Sequence, residues 1–210
     1  MREAPRMRIG SVALLAAAAA GAGEGWQQQG DCEGEDCVAV WTRERPGSGV
    51  REVKAVGEIA APPERVFAVV TDYEHQSGNL PYVEDQKVYE RSGDHVIVWA
   101  VARFPLIAPR DWIVRSRLER GLPGGVYRAS WEPVEWTGAP DPEDGVVRLK
   151  VNSGSWTLEP LDGGARTRAT YTLYTDPGGS IPAFLANSAN SSALPELFAA
   201  VRRRAEVKRG

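Results

Sequence analysis

The stretch Thr170-Tyr171-Thr172-Leu173-Tyr174-Thr175-Asp176-Pro177-Gly178-Gly179-Ser180-Ile181-Pro182 marks where the chain changes its periodicity. Residues 166–174 have strand composition, and Asp176-Pro177-Gly178-Gly179 breaks them. Beyond the break, residues 181–207 carry Phe184, Leu185, Ala189, Leu194, Leu197, Phe198 and Val201, largely at helical spacing. Arg202, Arg203 and Arg204 suit a helix C-terminus. Pro195 lies inside the run and should kink it or mark a junction.

Upstream of the break, strand follows strand. Residues 86–90 pair naturally with 95–102 through the turn Ser92-Gly93-Asp94. Residues 111–118, 126–132 and 146–160 follow, and 133–145 form a Pro/Gly/Asp-rich loop. Short strands with local connections predict one antiparallel sheet. Earlier still, Val38-Ala39-Val40-Trp41-Thr42-Arg43, the turn Pro46-Gly47-Ser48-Gly49 and the alternating residues 51–59 read as a hairpin. Ala61-Pro62-Pro63-Glu64 starts a helix whose stripe is Val66, Phe67, Val69 and Val70. Residues 73–80 form a second short helix or a loop, closed by Pro81. The order is hairpin, helix, strand run and one long helix, an α+β arrangement. The terminal helix is the obvious element to close the concave face of a curved sheet.

The 210 residues suffice for one substantial domain. A net charge of −3 predicts no general attraction to nucleic acid, whose binders usually carry a basic face. Arg2, Arg6 and Arg8, the apolar residues 11–20 and Ala20-Gly21-Ala22 have the layout of a signal peptide; the bland alternative is a disordered Ala-rich tail. The apolar part is shorter than the ~20 residues a membrane span needs. The expected organisation is a signal peptide at 1–22, a linker at 23–36 carrying Trp26 and the cysteines' first member, and a folded domain at 37–207. The linker could include one helical turn that docks Trp26. The mature protein is expected in the periplasm or secreted.

Four strings, in order, resemble the START domains, the steroidogenic-acute-regulatory-related lipid-transfer family. Residues 38–43 with Gly47-Ser48-Gly49 are similar to the opening of that domain. Ala61-Pro62-Pro63-Glu64-Arg65-Val66-Phe67 resembles its first inner helix. Pro105 with Arg110-Asp111-Trp112 resembles its central signature, and Asp176-Pro177-Gly178-Gly179-Ser180-Ile181-Pro182 the approach to its last helix. The resemblance runs from about residue 37 to residue 205. It implies a helix-grip fold, a curved antiparallel sheet around a long C-terminal helix with an apolar cavity between them. It also implies binding or transfer of a lipid or other hydrophobic molecule. The broader superfamily includes polyketide cyclases and hormone receptors, so fold does not fix ligand. Where related chains often carry Trp before Pro, this one has Gly78-Asn79-Leu80-Pro81.

Candidate cavity residues are Trp99, Arg110, Asp111, Trp112, Trp131, Trp156, Tyr171, Phe184 and Leu185. Arg110 and Asp111 are adjacent on a strand, so they face opposite sides. One reading makes them a structural anchor; the other has one of them orient a ligand. The tryptophans fall on different strands of one sheet, so some should share a face. A ligand must also enter. The gate is either the terminal helix, hinged at Gly178 and Gly179, or the loop of Gly78 and Leu80.

No residue is assigned to catalysis. His75 and His95 have no recognisable partner at a useful spacing. The sequence has no Gly-x-Ser-x-Gly, no His-Glu-x-x-His and no phosphate-binding Gly loop. No metal or cofactor is expected. The expected partner is a hydrophobic small molecule or lipid, with transient membrane-surface contact, no nucleic acid and a monomeric state. The alternatives are a cyclase or dehydratase using the same cavity, or an envelope protein docking a partner without a ligand.

Cys32 and Cys37 form an even pair beyond the expected cleavage site. A metal site would need further ligands, and Gly30-Asp31-Cys32 lacks the residues expected before a lipidated cysteine. The two cysteines are expected to form an intramolecular disulfide after export, worth about 2 kcal/mol for so short a loop. Thiol labelling of the non-reduced exported protein should find no free thiol; two reactive thiols would refute the pairing.

Overall fold

The computed structural model describes residues 25–34, 36–104 and 107–206. The expected signal peptide, Pro105 and Val207 lie outside the described residues. Ten strands form one sheet: β1 (Gln27–Gln29), β2 (Val38–Arg43), β3 (Glu52–Ile59), β4 (Val83–Ser92), β5 (His95–Ala102), β6 (Arg110–Leu122), β7 (Val126–Pro133), β8 (Val147–Arg148), β9 (Val151–Leu161) and β10 (Arg166–Asp176). Their order is β1-β2-β3-β10-β9-β7-β6-β5-β4, antiparallel throughout, with β8 alone pairing in parallel against β6. Helix α1 (Pro63–Val70) links β3 to β4, and α2 (Ala183–Ser192) and α3 (Leu194–Ala205) close the chain.

The β3–β10 pairing, Thr167 opposite Ile59 through Leu173 opposite Val53, joins the first hairpin to the end of the strand run. Because β4 lies at the far edge, α1 has to cross the sheet to reach it. It starts at Pro63 with Glu64 in its first turn and buries Val66, Phe67 and Val70. Helix α3 lies beside it and buries Leu194, Phe198, Val201 and Ala205. One core unites both helices with the inward residues of the sheet, among them Val53, Val98, Val114, Trp156 and Leu158. This is the expected α+β helix-grip architecture.

The fit around Phe198 is tight. Its ring packs 5.2 Å from that of Trp156. It also lies over Gly57, where an added Cβ would sit 2.9 Å from Phe198 Cδ1. Arg202, one turn on, is buried and donates to the Glu58 carbonyl at 2.8 and 3.0 Å and to the Asp36 carbonyl at 2.8 Å. Arg204 Nη2 ties α3 to Asp72 at 2.6 Å.

Three expectations change. The single terminal helix is two, meeting at Ala193, because Pro195 lacks an N–H and fits the first turn of α3. Residues 146–160 are two strands, β8 leaving the main path to pair with Arg110 and Asp111. Residues 27–29 of the expected linker are neither linker nor helical turn but an edge strand on β2. They are held there by a second small cluster on the outer face, in which Trp26 and Cys32 pack on Ala39, Trp41 and Val56. The disulfide joins Cys32 and Cys37 across this fold-back. Lys54 Nζ lies 4.4 Å from the Trp26 ring and 5.3 Å from Trp41. Burial, then the neighbouring Arg43, lowers its pKa below the usual lysine value.

At the opposite edge, β4 shifts register against β5 twice, at Val83/Asp85 and at Val88/Glu90. Its exposed residues include Glu84, Asp85, Lys87, Glu90 and Arg91.

Phe198→Ala should cost about 3–5 kcal/mol, since the ring fills space against a glycine backbone that cannot advance to close it. Urea unfolding followed by tryptophan fluorescence measures this, and a loss below about 1 kcal/mol would mean that α3 is not anchored at this ring.

Candidate functional site

The site is the concave face of the sheet beneath the helices. Strand alternation decides which residues reach it. Val114 and Leu118 belong to the core, so Arg110, Trp112 and Ser116 of β6 share their inward face. Trp131 stands opposite Ser116, Trp156 opposite Ala129, and Tyr171 opposite both Trp156 and Ala55. Four of the predicted cavity aromatics, Trp112, Trp131, Trp156 and Tyr171, therefore lie on one face. Ring centroids are 5.7 Å apart for Trp131 and Tyr171 and 4.7 Å for Trp156 and Tyr171. Trp156 and Tyr171 are buried, whereas Trp112 and Trp131 pack against the core yet stay only half-buried.

Gly154 lets Trp131 lie against the sheet, since an added Cβ there would fall 2.5 Å from its Cζ2. The Trp131 N–H donates to Asn152 Oδ1 at 3.3 Å. Tyr73, just beyond α1, bonds Ser116 Oγ at 2.6 Å. Burial raises the pKa of Tyr73 against the opposing Ser116 bond, and burial alone drives that of Tyr171 far above the usual tyrosine value. Both phenols stay neutral at physiological pH, so they serve as hydrogen-bonding groups.

The remaining candidates go elsewhere. Trp99 and Asp111 point to the outer face, where Asp111 accepts the Trp99 N–H at 3.0 Å and a two-pronged bond from Arg148 at 2.8 and 2.6 Å. This is the structural-anchor reading of Asp111, and both residues leave the cavity set. Arg110 starts on the inward side, but it is buried at the end of the strand and donates to the carbonyls of Ala108, Pro177 (3.1 Å) and Gly178 (3.4 Å). It clasps the segment that leads into α2. Phe184 and Leu185 are 70% and 51% exposed, so they do not pack over the sheet. The inward side of α2 is made of small or polar residues instead. Ala186 is buried, and Asn187 binds the Gly49 carbonyl and the Arg51 N–H.

The two gate candidates flank this face. Gly178 and Gly179 have φ of 62° and 69° and Gly78 has 69°, conformations that favour glycine. Leu80 packs against the core, and Tyr82, 40% exposed, stacks 5.0 Å from Phe104.

His75 and His95 are solvent-accessible and pair with Asp72 and Asp94 at 2.7 Å each. Among the described residues no cluster of three His, Cys, Asp or Glu could hold a metal. A recess of about 510 Å³ opens on the outer face, but its lining includes Arg115, Arg117, Arg128, Ser130, Ser155 and Thr172, a polar surface unsuited to an apolar molecule.

Sequence reasoning missed Tyr73, Ser116 and Asn152. The signal that could have pointed to this region is Gly154 inside a strand, which marks a close approach.

Asp111→Ala strips Arg148 and the Trp99 N–H of a buried carboxylate, and should cost about 3 kcal/mol. Urea midpoints measure the loss. Because Asp111 faces outward, binding of a hydrophobic probe by the still-folded variant should match the parent; impaired binding would return Asp111 to the inward set.

The family model described as "Polyketide cyclase / dehydrase and lipid transport" matches residues 59–202. An uncharacterized protein of Pseudomonas aeruginosa is 28% identical over 189 residues, 90% of each chain. The phosphatidylcholine transfer protein of Rattus norvegicus is 27% identical over 182 residues, 84% of this chain and 81% of that one. The crystal structure of a STAR-related lipid transfer protein from Xanthomonas axonopodis superposes with a TM-score of 0.74 at 26% identity. It covers 86% of this chain and 98% of that one.

Proposed function

We propose that this chain, which belongs to the polyketide cyclase / dehydrase and lipid transport family, encloses a lipid between the concave face of its sheet and its C-terminal helices, and carries it without chemical change. The observation that carries this reading is the state of Trp112 and Trp131. They face inward and touch the core, yet the protein leaves them half-uncovered, Trp131 in part toward the outer recess that it also lines. Large apolar surface on the inner face of a grip is surface for a guest. The likeness to a phosphatidylcholine transfer protein and to a STAR-related lipid transfer protein supports the same class of ligand.

The magnitudes allow it. An acyl chain of about 15 methylenes gains roughly 12 kcal/mol on burial, at about 0.8 per group. Association costs about 4–15 kcal/mol. Near the lower end of that cost, binding in the micromolar range survives.

The family description also covers cyclases and dehydrases. The inward polar groups favour carriage over such chemistry. They are hydroxyls and an amide, and burial, by raising the pKa of the two phenols, makes them poorer proton donors. Native mass spectrometry of protein purified from its own envelope should show a co-purified lipid. Protein that carries none, and takes none from mixed-lipid vesicles, would overturn the reading.

Entry requires motion, and α2 is the proposed gate. It is held by the small Ala186 and by the hydrogen bonds of Asn187 and Asn190, with no large apolar side chain buried, and its hinge glycines are clasped by a single arginine. An added Cβ at Gly49 would lie 3.1 Å from the Ala183 Cβ, close to the spacing of a disulfide. The pair Gly49→Cys and Ala183→Cys, oxidised, should slow lipid exchange between vesicles at least tenfold, with the rate restored by dithiothreitol. Exchange at the parent rate in the oxidised protein would shift the gate to the loop of Gly78 and Leu80.

A further inference from the structure

We infer that the preferred ligand is an uncharged lipid with an acceptor oxygen, an ester or ketone carbonyl or a hydroxyl, held by the Tyr171 hydroxyl, with the Asn152 amide as a second donor farther along the same face. The inference rests on the reading of the concave face as a lipid site, and narrows it.

Tyr171 is 9% exposed, with an indole on either side. Among the described residues its hydroxyl has no hydrogen-bond partner, and burial is the sole influence on its ionisation. The sealed and partnerless side-chain polar atoms of the described residues are Thr42 Oγ1 and Arg204 Nη1. The Tyr171 hydroxyl is partnerless but not among them, so part of its surface stays accessible on the inward face of the sheet. A buried O–H without an acceptor is a standing loss that an incoming oxygen would recover.

Asn152 is 7% exposed on the neighbouring strand. Its Oδ1 is taken by the Trp131 N–H, which turns its own N–H pair away from that contact as donors. Trp131 connects the two groups, its ring beside Tyr171 and its N–H on Asn152. Both available groups donate, so the complementary ligand atom is an acceptor.

Charge completes the selection. By strand alternation the inward positions of β3, β5, β7, β9 and β10, and those of β6 between Trp112 and Leu118, carry no Asp, Glu, Lys or Arg. Arg110, at the end of β6, is already spent on three carbonyls. Arg120 lies over Phe67 and Arg91 acts on Tyr73, but a carboxylate or phosphate set against Tyr171 and Asn152 would lose its water and meet no counter-charge on the strands that carry them. A plain hydrocarbon would leave the donors of Tyr171 and Asn152 unmet. An uncharged oxygenated lipid avoids both losses.

The test uses the full mature chain, delipidated, with the neutral fluorophore N-phenyl-1-naphthylamine as probe. Competitors of equal chain length are octadecene, oleyl alcohol, methyl oleate and oleate, the last at pH 8. Oleyl alcohol and methyl oleate should displace the probe about tenfold more tightly than octadecene or oleate. Tyr171→Phe should weaken the two oxygenated competitors about fivefold, leave octadecene unchanged and leave the thermal midpoint unchanged, since the hydroxyl has no protein partner to lose. Asn152→Ala gives a second, independent loss for the same two competitors. Equal displacement by all four, tightest binding of oleate, or an unaltered Tyr171→Phe profile overturns the inference while the lipid reading stands. If the probe and octadecene also fail to bind, the lipid reading falls with it.

Discussion

The pairing of β3 with β10 is the constraint on which the rest of the molecule depends. It joins strands more than a hundred residues apart in sequence and places the N-terminal hairpin beside the end of the strand run. With that contact made, β4 sits at the far edge, and α1 can reach it only by crossing the concave face. The crossing helix and α3 then need an apolar surface beneath them, which Val53, Ala55 and Gly57 of β3 and Ala169 and Tyr171 of β10 provide. The small residues among these set how closely the helices approach. Gly57 admits Phe198, and Ala55 and Ala129 flank the bulky pair Tyr171 and Trp156 in their row. Such a long-range contact carries a loop-closure cost that local hairpins do not, which favours slow folding.

Much of this was legible in the chain. Period-two alternation in residues 52–59 and the punctuation by Gly, Pro and Asp turns exposed the strands, and Pro195 announced the joint between the last two helices. Parity also required Arg110 and Asp111 to face opposite sides. What parity could not say is which side is inside. Strand β5 is covered on both faces, so Ile97 and Val101 are buried outward as Val96 and Val98 are inward, and Trp99 gives no clue to its direction. The apolar residues of α2 misled for a related reason. Helical spacing reports a stripe, not what the stripe meets, and Phe184 and Leu185 meet solvent. Tyr73 and Ser116 stayed hidden because their contact spans the molecule between residues of ordinary composition.

The polar groups of the inner face illustrate a division of labour. Charged side chains are retained where they fasten elements together: Asp111 with Arg148 outside, Arg110 at the start of α2, Arg202 at the end of β3. Neutral groups are kept for the interior. Charges in the interior would need partners to offset their desolvation, and those partners would fill the space that a guest requires.

The sheet is open, with a free edge at each end, and both edges are blunt. Strand β1 offers three exposed glutamines over a single short run, pinned by the disulfide beside it. Strand β4 is long, but its two register shifts break the line of free amides and carbonyls, and acidic and basic side chains alternate along it. A neighbouring molecule seeking to add a strand would find no uninterrupted ladder to copy. Were the inward aromatics ever uncovered, the irregular edges would still deny them a continuous strand on which to build fibrils.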